Sequence, residues 1–326
     1  EDHNRRVAEF VEIGKISEAI KELHKMVNAN PQFPDNYYNL GVLATSQRRF
    51  KEAMKYYKKA IKIKPEFFEA HYNLAGILKD FGQWEKAIFS YENAILINPN
   101  AAEVFYNLGS IFGHIEQREK AIANYQKAIA LNANFSEAYN NLGNIFSELK
   151  KWEEAVKSYN QAISIDPDFS GAYNNLGNAL VGKKKFEDAA VNYRKALKCS
   201  PNFVDSHVNL GNVLKEMGQL DEALKSYNAA LAINPKSIKA MYNLSLSLQL
   251  KGKFKEAYKI LGKGLDENPD NALISNSLID LLNYYWVNDA PENKIKKAQN
   301  SLQKLNFKVS KKAVISDEFV FELYRK

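Results

Sequence analysis

A stack of paired α-helices is the fold this sequence predicts, and three observations predict it. The pair Asn-Leu begins at Asn39, Asn73, Asn107, Asn141, Asn175, Asn209 and Asn243, a constant interval of 34 residues with no insertion. A small residue follows each pair: Gly41, Ala75, Gly109, Gly143, Gly177, Gly211 and Ser245. Alanine then recurs in phase at Ala53, Ala87, Ala121, Ala155, Ala189, Ala223 and Ala257. A fixed interval of this length means repeated supersecondary units rather than one globular core.

With Gly41 as position 8, the units run 34–67, 68–101, 102–135, 136–169, 170–203, 204–237 and 238–271. Positions 4, 7, 8 and 11 share one face of a first helix, as in Tyr139, Leu142, Gly143 and Phe146. Positions 17, 20, 21, 24, 27 and 28 share one face of a second, as in Trp152, Ala155, Val156, Tyr159, Ala162 and Ile163. Small residues at 8 and 20 let the two helices approach, and large ones at 7, 17 and 24 fill the space beside them. Position 24 is Tyr57, Tyr91, Tyr125, Tyr159, Tyr193 and Tyr227, then Leu261. Proline at position 32 (Pro65, Pro99, Pro167, Pro201, Pro235, Pro269) lacks an N–H and ends the second helix. Gly82, Gly218 and Gly252 stand where the first helix turns into the second, which predicts a left-handed C-terminal cap. Asn134 with Glu137, Asn202 with Asp205 and Asn100 with Glu103 predict capping boxes at the next first helix.

These columns resemble the tetratricopeptide repeat, a helix–turn–helix unit, over about residues 34–271. The resemblance implies an all-α fold coiled as a right-handed superhelix. First helices would line its concave side and second helices its convex side. Gly14, Ile16, Ala19, Leu23 and Pro31 continue the grid backwards, so 1–33 reads as a divergent eighth repeat, with Val7 where glycine is expected. Residues 272–286 open a ninth first helix, and Pro291 breaks the grid. Residues 292–305 read as a basic helix with Ile295, Ala298, Leu302 and Leu305 on one side, capping the array. Residues 306–326, with Glu318–Tyr324 a strand or short helix, read as a tail that opens a domain lying outside this chain.

Composition excludes little and adds little. The net charge is +7, and residues 292–326 supply nine Lys/Arg against four Asp/Glu, so the repeats are nearly neutral. That placement argues against nucleic acid as the partner. No apolar run approaches the ~18 residues that span a bilayer, so no membrane role is expected. The single Cys199 cannot form an internal disulfide, which fits a reducing, cytoplasmic setting. It reads as a small buried apolar residue. The histidines, His3, His24, His71, His114 and His207, do not pair at metal-ligand spacing, and the glycines follow the grid rather than a phosphate loop. His71 and His207 replace aromatics at position 4, which predicts core packing. No catalytic group, metal or cofactor is expected in this chain.

The candidate binding residues are the asparagine column itself: Asn39, Asn73, Asn107, Asn141, Asn175, Asn209 and Asn243, at position 6. Asparagine inside a helix costs roughly 0.5 kcal/mol relative to alanine, so the column needs a compensating role. A carboxamide offers a donor and an acceptor, which suits a peptide backbone. First helices ~10 Å apart would present one such group about every third residue of an extended peptide. The competing reading is a bond within the helical pair. Beside this column stand Tyr38, Tyr72 and Tyr106 at position 5 and Asn144, Asn178 and Asn212 at position 9, in columns that vary as specificity positions should. The competing reading of the tyrosines is a half-packed ring with its hydroxyl in water. Asp35, Glu69, Glu103, Glu137 and Asp205 read as capping residues at the helix start rather than a cation site, and the Lys51–Lys64 surface as a solvated face.

A similar asparagine column lines the arrays of O-linked N-acetylglucosamine transferases. That resemblance implies a scaffold that holds an extended protein segment, or alternatively the substrate-recruiting arm of a larger enzyme. Chaperone-binding members of the family use Lys at position 5, and none stands there in this chain. A third reading is self-association through the open ends of the array.

Overall fold

The structure, a computed structural model, describes residues 2–268 and 271–289. Pro269, Pro291, the 292–305 capping helix and the 306–326 tail lie outside the described residues. The described secondary structure is entirely helical. The chain divides into two compact units at Pro167/Asp168.

The first unit holds five helical pairs. These are α1 (Asp2–Glu12) with α2 (Ile16–Ala29), α3 (Pro34–Ser46) with α4 (Phe50–Ile63), α5 (Phe68–Asp80) with α6 (Trp84–Ile97), α7 (Ala102–His114) with α8 (Arg118–Leu131), and α9 (Ser136–Glu148) with α10 (Trp152–Ile165). The second unit holds α11 (Ser170–Gly182) with α12 (Phe186–Cys199), α13 (Val204–Glu216) with α14 (Leu220–Ile233), α15 (Ile238–Leu250) with α16 (Phe254–Glu267), and α17 (Ala272–Asp289). The predicted ninth first helix thus runs past residue 286, to Asp289. The divergent N-terminal pair docks on α3, where Ala19 and Leu23 meet Leu40 and Leu43 with Val7 and Phe10 at the margin.

The sequence columns have a steric cause. A Cβ placed on Gly41, Gly109, Gly143, Gly177 or Gly211 would lie 2.5–2.8 Å from ring carbons of Tyr57, Tyr125, Tyr159, Tyr193 or Tyr227. The position-24 ring therefore occupies the space of the position-8 side chain, and both are buried. The alanines at positions 20 and 27 are fully buried as well, which lets the second helix lie against its neighbours. Where position 8 becomes Ser245, position 24 becomes the smaller Leu261.

Each first helix ends in a left-handed residue, and Gly82, Gly218 and Gly252 have φ of 67°, 74° and 71° as the sequence predicts. At Gly82 the bonds are those of a Schellman cap, Gln83 N–H to Leu78 O at 2.9 Å and Gly82 N–H to Lys79 O at 3.0 Å. The same position is Arg48, Glu116, Lys150 and Lys184 in four other copies, with φ of 58°, 62°, 57° and 58°. Side chains in that region cost about 1 kcal/mol. Lys150→Gly and Lys184→Gly should each therefore stabilise the protein by about 0.5 kcal/mol after the glycine's unfolded-state entropy is subtracted. A thermal melt in which either variant unfolds earlier than wild type would contradict this.

The predicted capping boxes do not form. The N-cap residues of α7, α9 and α13 are Ala101, Phe135 and Phe203, and no side chain caps them. Asn134 and Asn202 fall one place too early, and Asn100 likewise. Asparagine acts at position 31 instead. The Oδ1 atoms of Asn30, Asn98, Asn132 and Asn234 accept the N–H two residues on, at 3.2, 3.1, 3.0 and 3.1 Å. These Asx turns close the loop around the proline. The acids Asp35, Glu69, Glu103, Glu137 and Asp205 stand in the first helical turn, where the helix dipole favours them. No described helix is long and apolar enough to cross a membrane.

Candidate functional site

The asparagine column joins repeats. Asn73, Asn107 and Asn141 donate from Nδ2 to the hydroxyls of Tyr38, Tyr72 and Tyr106 in the preceding repeat, at 3.3, 3.4 and 3.1 Å. Asn209 donates to Asn174 Oδ1 at 3.0 Å and to Asn178 Oδ1 at 3.2 Å. Position 5 of the previous repeat supplies a partner for each of these four, while Asn107 Nδ2 also donates to its own helix at Glu103 O, 2.9 Å, and the second acceptor of Asn209 is at position 9. Position 5 before Asn243 is Val208, which accepts nothing, and Asn243 donates to its own helix at Lys239 O, 2.9 Å. Asn39 and Asn175 are half-buried on α3 and α11, and Asn175 Oδ1 accepts from Asn174 at 3.3 Å. The sequence reading expected a carboxamide with both functions turned to a ligand. The structure places part of that capacity between neighbouring repeats.

The position-5 tyrosines are held between repeats as well. Their rings are half-buried, and Tyr38 and Tyr106 stack near Phe67 and Phe135 at 5.0 and 4.8 Å between centroids. Their hydroxyls accept from the next repeat. Burial raises the pKa of Tyr38 and Tyr106, and the bonds from Asn73 and Asn141 oppose that rise. At position 9, Asn144, Asn178 and Asn212 accept from the buried hydroxyls of Tyr159, Tyr193 and Tyr227 at 2.8, 2.7 and 2.8 Å. Each thus helps to satisfy a buried phenol, and Tyr159 also meets Ser147 Oγ at 3.1 Å.

His71 is buried and His207 half-buried, each within 2.9 Å of the carbonyl of Pro65 or Pro201 through Nε2. Cys199 is half-buried, not fully buried as expected. Among the described residues no group of three or more His, Cys, Asp or Glu is placed to hold a metal ion.

The first-helix side of the first unit carries a cavity of about 680 Å³. Asn141, Asn144, Ser110 and His114 line it from α7 and α9, with Lys79 and Asp80 from the end of α5. Trp84 and Arg118, the first residues of α6 and α8, close one edge. Arg118 Nε pairs with Glu148 at 2.8 Å, Lys79 Nζ donates to Asn107 Oδ1 at 2.8 Å, and the Trp84 and His114 rings lie 4.7 Å apart. The trough therefore presents both charge signs, an aromatic edge and carboxamides. Sequence reasoning missed Arg118, although the signal was present. Position 17 is otherwise Phe, Trp or Leu in the regular copies, and a lone arginine breaks the column.

A family model for the TPR repeat matches residues 77–114, 116–150, 143–184, 177–218 and 211–252. Three further tetratricopeptide-repeat models match 34–67, 56–89 and 238–271. The chain belongs to the tetratricopeptide-repeat family. Among solved structures, this tetratricopeptide-repeat protein is similar to a chain of the APC/C hetero-tetramer Cut9–Hcn1. The identity is 20%, the TM-score 0.57, and the match covers 74% of this chain and 48% of that one. A chain from the functional characterisation of Pseudomonas aeruginosa pilF matches at 19% identity and TM-score 0.57, over 65% of this chain and 97% of that one. Both likenesses show the fold. A MamA chain is 30% identical over 52% of this tetratricopeptide-repeat protein and 93% of its own length, at TM-score 0.49. No curated protein matches the sequence.

Proposed function

We propose that this protein is a non-catalytic scaffold that holds an extended protein segment in the trough of its first unit. The observation that carries the reading is the convergence of Asn141, from the position-6 column, and Asn144, from the position-9 column, on one cavity of about 680 Å³. Extended peptides carry an N–H and a C=O at every residue, and carboxamides answer both. Lys79, Arg118 and His114 stand opposite Asp80, Glu116 and Glu148 in the same lining, which suits a segment bearing both charges. The asparagines then have two tasks. One N–H of Asn141 fixes the preceding repeat and its second N–H meets the guest, while its Oδ1 also accepts from Asn140 at 3.2 Å.

The test uses linear peptides selected from a displayed random library on the full chain. Asn141→Ala with His114→Ala and Glu148→Ala should weaken the selected peptides by at least about tenfold, or ~1.4 kcal/mol. Asn141→Ala should also lower stability by about 1 kcal/mol, because the Tyr106 hydroxyl loses its donor. Selected peptides that bind the triple variant as tightly as wild type would overturn the proposal.

A further inference from the structure

The second-helix side of the first unit carries a charge pattern that the trough does not use. Residues 48–64 contain eight Lys/Arg and one Asp/Glu, a surplus equal to the net charge of the whole chain, +7. All eight cations are exposed. Arg49 pairs with Glu52, while Lys59 and Lys64 lie over the rings of Tyr37 and Phe67 at 5.7 and 4.9 Å. Lys51, Lys55, Lys58 and Lys62 have no carboxylate within ion-pair distance among the described residues. Their spacing puts these four on one stripe of α4.

Beside that stripe lies a groove of about 410 Å³ between α4 and α6, floored by Ile61, His71, Leu74 and Leu78. Its far wall is lined from α6 by Glu85, Lys86, Phe89 and Ser90, and Glu92 and Leu96 continue the Glu85–Phe89 stripe beyond the groove. Phe89 is 67% exposed and Leu96 81% exposed, the two most solvent-accessible large apolar residues of the described chain. An apolar groove with the bare Phe89 side chain on its lip marks an interaction site rather than a solvated surface.

We propose that this groove docks a short amphipathic helix of a partner protein. The helix would turn an apolar face of Leu or Phe onto Phe89 and the groove floor, and a flank of Asp or Glu onto Lys51, Lys55, Lys58 and Lys62. Charge complementarity selects this occupant. A row of lysines at helical spacing matches a row of carboxylates at helical spacing. The opposite wall sets Glu85 beside Lys86, with Glu92 further along the same stripe, so it offers a polyphosphate backbone or an anionic lipid surface no cationic row to match that of α4. The site is separate from the trough and does not depend on it.

The experiment measures binding of a fluorescein-labelled helical peptide to the full chain by anisotropy. The peptide carries Leu and Phe at i, i+3, i+4 and i+7 and Glu along one flank. The expected result is saturable binding that weakens with added salt and falls at least about tenfold in Phe89→Glu and in Lys58→Glu with Lys62→Glu. These side chains are exposed, so circular dichroism should show unchanged helicity. The Asn141→Ala, His114→Ala, Glu148→Ala variant should bind this peptide as wild type does, which separates this site from the trough. The proposal is overturned if the peptide does not bind, if Phe89→Glu keeps its affinity, or if the trough variant loses it. Tighter binding of oligouridine or of phosphatidylserine vesicles than of the peptide also overturns it.

Discussion

Raising the pH from about 10 to about 12 is expected to unfold this protein cooperatively, with the tyrosine column as the cause. Tyr57, Tyr91, Tyr125, Tyr159, Tyr193 and Tyr227 are all but fully buried. Burial pushes every one of these phenols up, Tyr159 to about 12. The unfolded chain releases its phenol protons near pH 10, while the folded chain keeps them. Folding stability is therefore intact below about pH 10. Above it, each buried tyrosine removes about 1.4 kcal/mol per pH unit until its folded pKa is reached. Six such groups outweigh the net stability of an ordinary domain, ~5–15 kcal/mol, within roughly two pH units. The chain has 18 tyrosines, and exposed phenols ionise near pH 10 with the helices intact, so the last phenolate absorbance, that of these six, should appear together with the loss of helical circular dichroism. Tyr159→Phe with Tyr193→Phe should make the loss shallower, and complete phenolate absorbance while the helices persist would show that the hydroxyls are not held as the structure has them.

Gly177→Val is the second large effect. Its Cβ would lie 2.5 Å from Cε1 of Tyr193, a ring with no space to retreat into. Overpacking of this kind costs ~1–3 kcal/mol, and the β-branched side chain recovers only part of glycine's helix penalty. A net loss of about 2 kcal/mol should lower the melting temperature by roughly 4–8 °C. Adding Tyr193→Leu should recover part of that loss, because the repeat with Ser245 carries Leu261 in the same place. Tyr193→Leu alone should be destabilising too, since Asn178 Oδ1 then loses its phenol donor. A Gly177→Val protein that melts with wild type would mean that the ring does not fill the position-8 space.

The helices were legible in the sequence because their cause is local and repeated. Glycine before tyrosine at a constant interval states a close approach, and proline states an end. The left-handed Gly82, Gly218 and Gly252 were legible for the same reason. The capping boxes were misread, since the N-caps are Ala101 and Phe135 and the side chain that folds the loop stands two positions before the expected one, at Asn98 or Asn132 rather than Asn100 or Asn134. The bonds of the asparagine column were not legible, because each depends on a residue 35 positions earlier in the column that varies. Asn107 and Asn243 both donate to the carbonyl four residues back, but only Asn107 also reaches the previous repeat, because Tyr72 stands where Asn243 has Val208. Arg118 was visible as an exception but acquires meaning only when Glu148, from the next repeat, comes to 2.8 Å.

The central claim is that a partner segment lies along the first-helix trough of the first unit. Photocrosslinking tests it most directly. A library-selected linear peptide carrying a photoreactive residue would be irradiated with the Phe89→Glu chain, in which the outer groove is disabled, and the adducts mapped by mass spectrometry. The account predicts adducts on α5, α7 and α9, at residues such as Ser110, His114 and Asn144. Adducts confined to the outer faces of α4, α6, α8 and α10 would contradict it.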